Sequence, residues 1–148
     1  MDNLFAGNDI YLPTKYQTYF HQYCLTKSDG SKNDPEESPF PRMIDMWFLS
    51  FCIAVANNLE PNMEIKGDKY KAIEGVVFGS DQWRVKCIQL TVLSMTDDED
   101  IIFNSSELLK YANGLALAGL PRLIEILNNR GADVAIDYLS DEIVDMIG

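Results

Sequence analysis

The chain has little positive charge, a single histidine, no paired cysteines and no long apolar run, and each shortage narrows its function. Twelve Lys and Arg stand against 23 Asp and Glu, a net charge of −11. A surface of that sign repels nucleic acid and anionic lipid, so no strong direct nucleic-acid binding is expected. A basic protein partner is compatible with it, and so is imitation of a nucleic acid. The cysteines at 24, 52 and 87 lack the short spacing of a zinc knuckle or a redox motif. Cys52 and Cys87 sit inside apolar runs, where a thiol behaves as a small hydrophobe. The pattern predicts three reduced thiols in a reducing compartment. The stretch "MDNLFAGNDIYLPTKY" has no basic-then-apolar signal, so no export is expected and the reading is cytoplasmic.

The single histidine, His21, lies three residues before Cys24, so a helix would point both the same way. A Cys–His nucleophile also needs an orienting third group and an oxyanion site. The sequence offers neither, and His21 reads as a polar position on an aromatic helix. No catalytic residue, metal ligand or cofactor site is assigned. The acidic run Asp97–Asp100 lacks the alternating spacing and glycine of a calcium loop. Asp141 and Asp145 share a helix face without a further ligand. The glycines around "KGDKYKAIEG" match neither a phosphate loop nor a dinucleotide pattern. Lys66, Lys69 and Lys71 are nevertheless the densest basic spot, either a phosphate or acidic-partner contact or ordinary solubilising charge.

The 148 residues fit one domain, and a chain of that length buries about two thirds of its unfolded surface without a disulfide or metal staple. With 47% hydrophobic and 24% charged residues, general disorder is excluded. The expectation is a single helical domain over 1–148 with a flexible loop at 28–41, where "SDGSKNDPEESPFP" has too little apolar content to hide. Before it, Tyr16, Tyr19, Phe20 and Tyr23 recur at helical spacing over 14–27, with Thr14 the candidate cap.

After the loop, "PFPRMIDMWFLSFCIAVANNLEP" carries eleven uncharged residues from Met46 to Ala56. That is about 16 Å of helix, short of a roughly 30 Å hydrocarbon core, so a membrane span is rejected. Pro41 suits the start and Asn57-Asn58 the stop, and Arg42 and Asp45 could pair. Residues 64–79 hold a short helix or a hairpin. "SDQWRVKCIQLTVLSM" restarts a helix with Ser80 as cap, one face of Trp83, Cys87 and Leu90, a second of Val85, Ile88, Val92 and Met95, and Arg84, Lys86 and Gln89 leaning outward. From Ser105 or Ser106 to Gly131, Leu108, Leu109, Ala112, Leu115, Ala116, Leu120, Leu123, Ile124 and Leu127 fill a wide stripe. Pro121 predicts a kink or a break near Gly119. The tail places Val134, Ile136, Tyr138, Ile143, Val144 and Ile147 among acids, predicting one or two amphipathic helices. The fold class is therefore mainly α, a bundle of five to six helices with room for a short hairpin near 64–79.

Two helices apolar nearly all round are hard to enclose in so short a chain. Met46, Trp47, Phe48 and Phe51 are accordingly either core or partner-binding anchors, with Trp83 and Arg84 next. The pieces "PFPRMIDMWFLSFCIAV", "SDQWRVKCIQLTVL" and "ELLKYANGLALAGL", taken in order, resemble small helical accessory subunits of multi-gene bacterial anti-phage systems. The resemblance spans Pro39 to Leu120, implies a subunit of a complex, and assigns no functional residue. The expectation is a non-enzymatic scaffold or regulatory subunit without cofactor. Its partner would be a larger protein such as an ATPase or nuclease, or further copies of itself. The alternative is an acidic inhibitor that imitates nucleic acid, with Asp97–Asp100 and the tail carboxylates forming one negative face.

Overall fold

The computed structural model describes residues 3–26, 32–34, 37–129 and 135–147, without the side chains of 135–138, 146 and 147. The expected cap at Gly131, Val134, the side chains of Ile136, Tyr138 and Ile147, and residues 28–31, 35 and 36 of the loop lie outside the described residues. The elements run β1 (Ile10–Pro13), a 3-10 turn (Thr14–Tyr16), α1 (Gln17–Tyr23), α2 (Met43–Ala56) and β2 (Lys69–Ile73). A 3-10 turn (Gly75–Ser80), α3 (Gln82–Thr96), a 3-10 turn (Glu99–Phe103), α4 (Ser105–Asn128) and α5 (Ala135–Ile147) follow. The fold is mainly α with one short antiparallel strand pair. One strand of the pair falls in the segment 64–79; the other, β1, comes from before α1. Ile10 faces Ile73 and Leu12 faces Tyr70 across the pair, with an irregularity between Ile10 and Tyr11.

Helix ends follow local chemistry. Arg42 precedes α2 in extended conformation, and its backbone N–H donates to the Asp45 carboxylate at 2.9 Å. Asn58 stops the helix by adopting a left-handed φ of 54°, a conformation asparagine tolerates better than most residues. Asp97 ends α3 in the same way. At α4 the cap is Asn104, whose side chain accepts from the Glu107 N–H at 3.2 Å, rather than Ser105 or Ser106. Ser80 is not the α3 cap either, because its hydroxyl donates back to the Val77 carbonyl.

Three expectations need correction. The first helix is shorter than 14–27: Cys24 is extended and bridges Phe40, so the chain leaves the helix there to form a tie with the far end of the loop. That end is not wholly at the surface, since Ser38 and Phe40 are buried and the Ser38 hydroxyl donates to the Gln22 carbonyl. Third, α4 does not break at Pro121; it runs 24 residues through it, about 36 Å. Pro121 is exposed, so the ring projects toward solvent rather than into the packing.

The core centres on the crossing of α2 and α4. A Cβ placed at Gly119 would stand 2.0 Å from the Ser50 carbonyl oxygen and 3.0 Å from the Ala54 nitrogen. Only glycine allows the two backbones so close, and each helix then covers the other's apolar surface. The predicted stripe of α4, Leu108 through Leu127, is buried throughout. Phe5 and Phe78 close a second side of α2, with ring centroids 4.9 Å apart and Phe78 edge-on to Trp47 at 5.9 Å. Asn113 of α4 accepts from the Trp47 indole N–H at 2.9 Å and donates to the Tyr11 carbonyl at 2.9 Å, joining α2, α4 and β1.

Gly119→Ala is expected to force this crossing apart and cost about 1–3 kcal/mol. Urea unfolding measures it; an unchanged midpoint would show that the helices do not depend on the close approach.

Candidate functional site

Of the two roles open to the aromatic–methionine group, the structure takes the core. Met46, Trp47 and Phe51 are at most 1% exposed and Phe48 is 8% exposed, all sealed by their own chain. As partner-binding anchors these four residues are therefore corrected. The physical reason is the glycine-mediated crossing, which lets α2 and α4 enclose each other with less chain than two encircled helices otherwise need.

The rings of this group still lead outward. Trp47 stacks on Phe51 at 6.3 Å, Phe51 on Phe48 at 5.5 Å, and Phe48 meets Trp83 of α3 edge-on at 5.4 Å. Trp83 is the surface end of that series, 57% exposed. Arg84, beside it, does not lean outward as the helical spacing suggested. Its side chain is only 9% exposed, with Nη2 2.6 Å from Asp45 Oδ1 and Nη1 3.6 Å from Asp81 Oδ2. The guanidinium carbon lies 5.1 Å from the Phe48 ring centre and 4.7 Å from that of Trp83.

Two carboxylates and two π faces offset the desolvation that would otherwise keep this cation in water. They do so although Nε and Nη1 have no hydrogen-bond partner. Arg42 completes a quartet, 3.0 Å from Asp81 and 3.6 Å from Asp45. The expected Arg42–Asp45 pair is present, but as the exposed margin of this larger group. Sequence spacing could not show that Asp45 and Asp81, 39 positions from Arg84 and Arg42 respectively, would meet them.

Along α3, Leu90 follows Trp83 by seven residues, two helical turns, so both lie on one face. Leu90 is 68% exposed, and half-buried Cys87 lies between them. Beside Leu90 a shallow cleft of about 400 Å³ is lined by Val55, Asn58, Leu90, Thr91, Ser94 and Met95. The opposite face of α3, with Val85, Ile88 and Val92, is buried. The helix is thus apolar on two sides and covered on one.

The lysines do not converge on one site. Lys69 lies over the Tyr11 ring at 5.3 Å, Lys71 pairs with Glu74 at 3.4 Å, and Lys66 lines a cleft of about 230 Å³ with Lys15 and Glu64. Asp97–Asp100 are all exposed before the N-terminus of α4, whereas Asp141 and Asp145 belong to α5, which follows its C-terminus. Among the described residues no group of three or more His, Cys, Asp or Glu could hold a metal ion, and no helix is long and apolar enough to cross a membrane.

Cys24 and Cys52 are poor nucleophiles. Burial, helped by the nearby Asp45 charge, pushes Cys24 up to about 12, and burial with Cys87 close by pushes Cys52 up to about 11. Cys24 Sγ instead contacts Met46 Sδ at 4.0 Å inside the core.

Two outcomes test this geometry. Asp45→Asn, which removes the closest counter-charge of Arg84 while Asp81 and the two rings remain, is expected to cost about 1–3 kcal/mol. Denaturant titration reads this, and a loss below about 1 kcal/mol contradicts the pairing. Cys24 is expected to resist a thiol reagent at pH 8 until the chain is unfolded. Because the folded thiol keeps its proton above the ordinary value of 9 while the unfolded one loses it, stability falls as pH rises from about 9 toward 12. Rapid native labelling of Cys24, or stability unchanged across that range, goes against its burial.

No family model, curated protein or solved structure matches this chain.

Proposed function

We propose that this chain is a non-enzymatic accessory subunit that docks onto a larger protein through the outer face of α3. The observation that carries the reading is Trp83, an exposed indole in T-shaped contact with Phe48 and with the ion-paired Arg84 over its ring. A large aromatic ring fixed before contact loses little freedom on binding, and tryptophan is among the residues that dominate interface energetics. Leu90 and the cleft beside it extend the contact along two turns. Of the anchors read from the sequence, Trp83 keeps a direct role and Arg84 becomes its support.

The non-enzymatic part of the reading is supported by the state of Cys24, the one candidate nucleophile with a histidine near in sequence, whose proton is held by burial. The sequence resemblance supplies the setting we propose: a bacterial anti-phage assembly in which the chain acts as scaffold or regulator of an ATPase or nuclease.

The test is co-purification with the products of the adjacent genes, using the wild-type chain and Trp83→Ala/Leu90→Ala. The double variant removes exposed atoms and two ring contacts, so it is expected to stay folded, with a loss of about 1–2 kcal/mol. Partner affinity is expected to fall about thirtyfold or more, the scale of a lost hot spot. A folded double variant that binds its partner as wild type does would remove the α3 face from the function.

A further inference from the structure

Resting on the docking reading above, we infer that the occupant of the α3 face is a basic-ended amphipathic helix of another protein. The face has an apolar part and an acidic part in line. Trp83 and Leu90 stand seven residues apart, about 10.5 Å along the axis, and Asp97 lies seven residues further on. There α3 ends, and Asp97, Asp98, Glu99 and Asp100 follow, all exposed.

The last turn of α3 carries no basic residue. Among the described residues no cation pairs with any of these four carboxylates. The carbonyl end of the helix dipole adds to the same negative field. Asp98 caps the following 3-10 turn by accepting the Asp100 N–H, but no counter-charge meets the four carboxylates, and they follow a helix whose outer residues Trp83 and Leu90 are uncovered among the described residues.

A complementary helix presents two apolar residues seven apart. One rests on the Trp83 ring and the other enters the cleft formed by Val55, Leu90 and Met95. Lys or Arg two turns beyond then reach Asp97–Asp100. Such a helix lies parallel to α3 when its basic end is C-terminal. A net charge of −11 draws a basic segment in and opposes a second copy of this acidic chain, a nucleic acid or an anionic membrane.

The probe is an 18-residue amidated helical peptide of Ala, Gln, Leu and Lys, with Leu at two positions seven apart and four Lys in the last two turns. Two controls replace Leu by Ser or Lys by Glu. Fluorescence anisotropy is read on the whole chain at 20, 150 and 500 mM salt. The first peptide is expected to bind, with affinity falling as salt rises, and both controls to bind at least tenfold more weakly. Against the first peptide, Trp83→Ala/Leu90→Ala is expected to weaken binding about thirtyfold. A variant neutralised at Asp97, Asp98, Glu99 and Asp100 is expected to weaken it about tenfold at low salt, since exposed pairs each contribute little. Equal binding of the Leu→Ser peptide, or no binding of the first peptide, overturns the inference. So does light scattering that shows a dimer dissolved by the Trp83/Leu90 variant, because a second copy then owns the face. If the neutralised variant keeps its natural partner while the Trp83/Leu90 variant loses it, the docking face stands and the basic-helix inference falls. If both keep it, the docking reading itself falls.

Discussion

Arg84 sits where the core ends and the surface begins, and its pairing with Asp45 ties the two together. The carboxylate that receives this guanidinium also accepts the Arg42 N–H at the start of α2, so one side chain both starts a helix and neutralises a buried cation. Because Asp45 belongs to α2 and Arg84 to α3, their 2.6 Å contact sets how α3 enters the fold. From that position α3 presents Val85, Ile88 and Val92 inward, and Trp83 and Leu90 outward. A replacement of the quartet by apolar side chains of similar volume could be as stable, as buried ion pairs often show. It would not hold an indole by a cation beneath its face. That is the use we assign to the charge: it orients.

The α2–α4 crossing explains why the surface feature lies on α3. With Gly119 admitting the Ser50 carbonyl, the two most extensively buried helices satisfy each other, and Phe5, Phe78 and the strand pair close the remaining sides. The third helix is left to cover a margin with one face only. Its outer residues Trp83 and Leu90 are large, apolar and exposed, and Trp83 continues the ring series that begins at Phe5 in the core. The core packing and the proposed docking face are therefore parts of one continuous series of rings.

Much of the fold was legible in the sequence because it rests on local signals. The α4 stripe from Leu108 to Leu127, the α2 run and its asparagine stop follow from helical spacing and from backbone preferences that act over a few residues. The mainly α class with a short antiparallel element follows from the same reading. What escaped depends on contacts between distant positions. The inward turn of Arg84 needs Asp45, Asp81 and Phe48, none of which periodicity on α3 reports. The close crossing at Gly119 was hidden because a glycine beside Pro121 reads as a helix breaker, when here it admits another backbone. The pairing of β2 with β1 spans the whole of α1 and α2, beyond the reach of local pattern. The candidate site was half legible: Trp83 was named among the anchors, but behind residues that the structure places in the core.

The central claim is that the ion-paired Arg84 holds an exposed Trp83 rigid. Nitrogen-15 relaxation of the Trp83 indole N–H tests it directly, in the wild-type chain and in Arg84→Leu. The account predicts an order parameter near about 0.85 for the wild type, as for rigid backbone, and below about 0.6 for the variant. A value below about 0.6 in the wild type, or the same value in both, would contradict it.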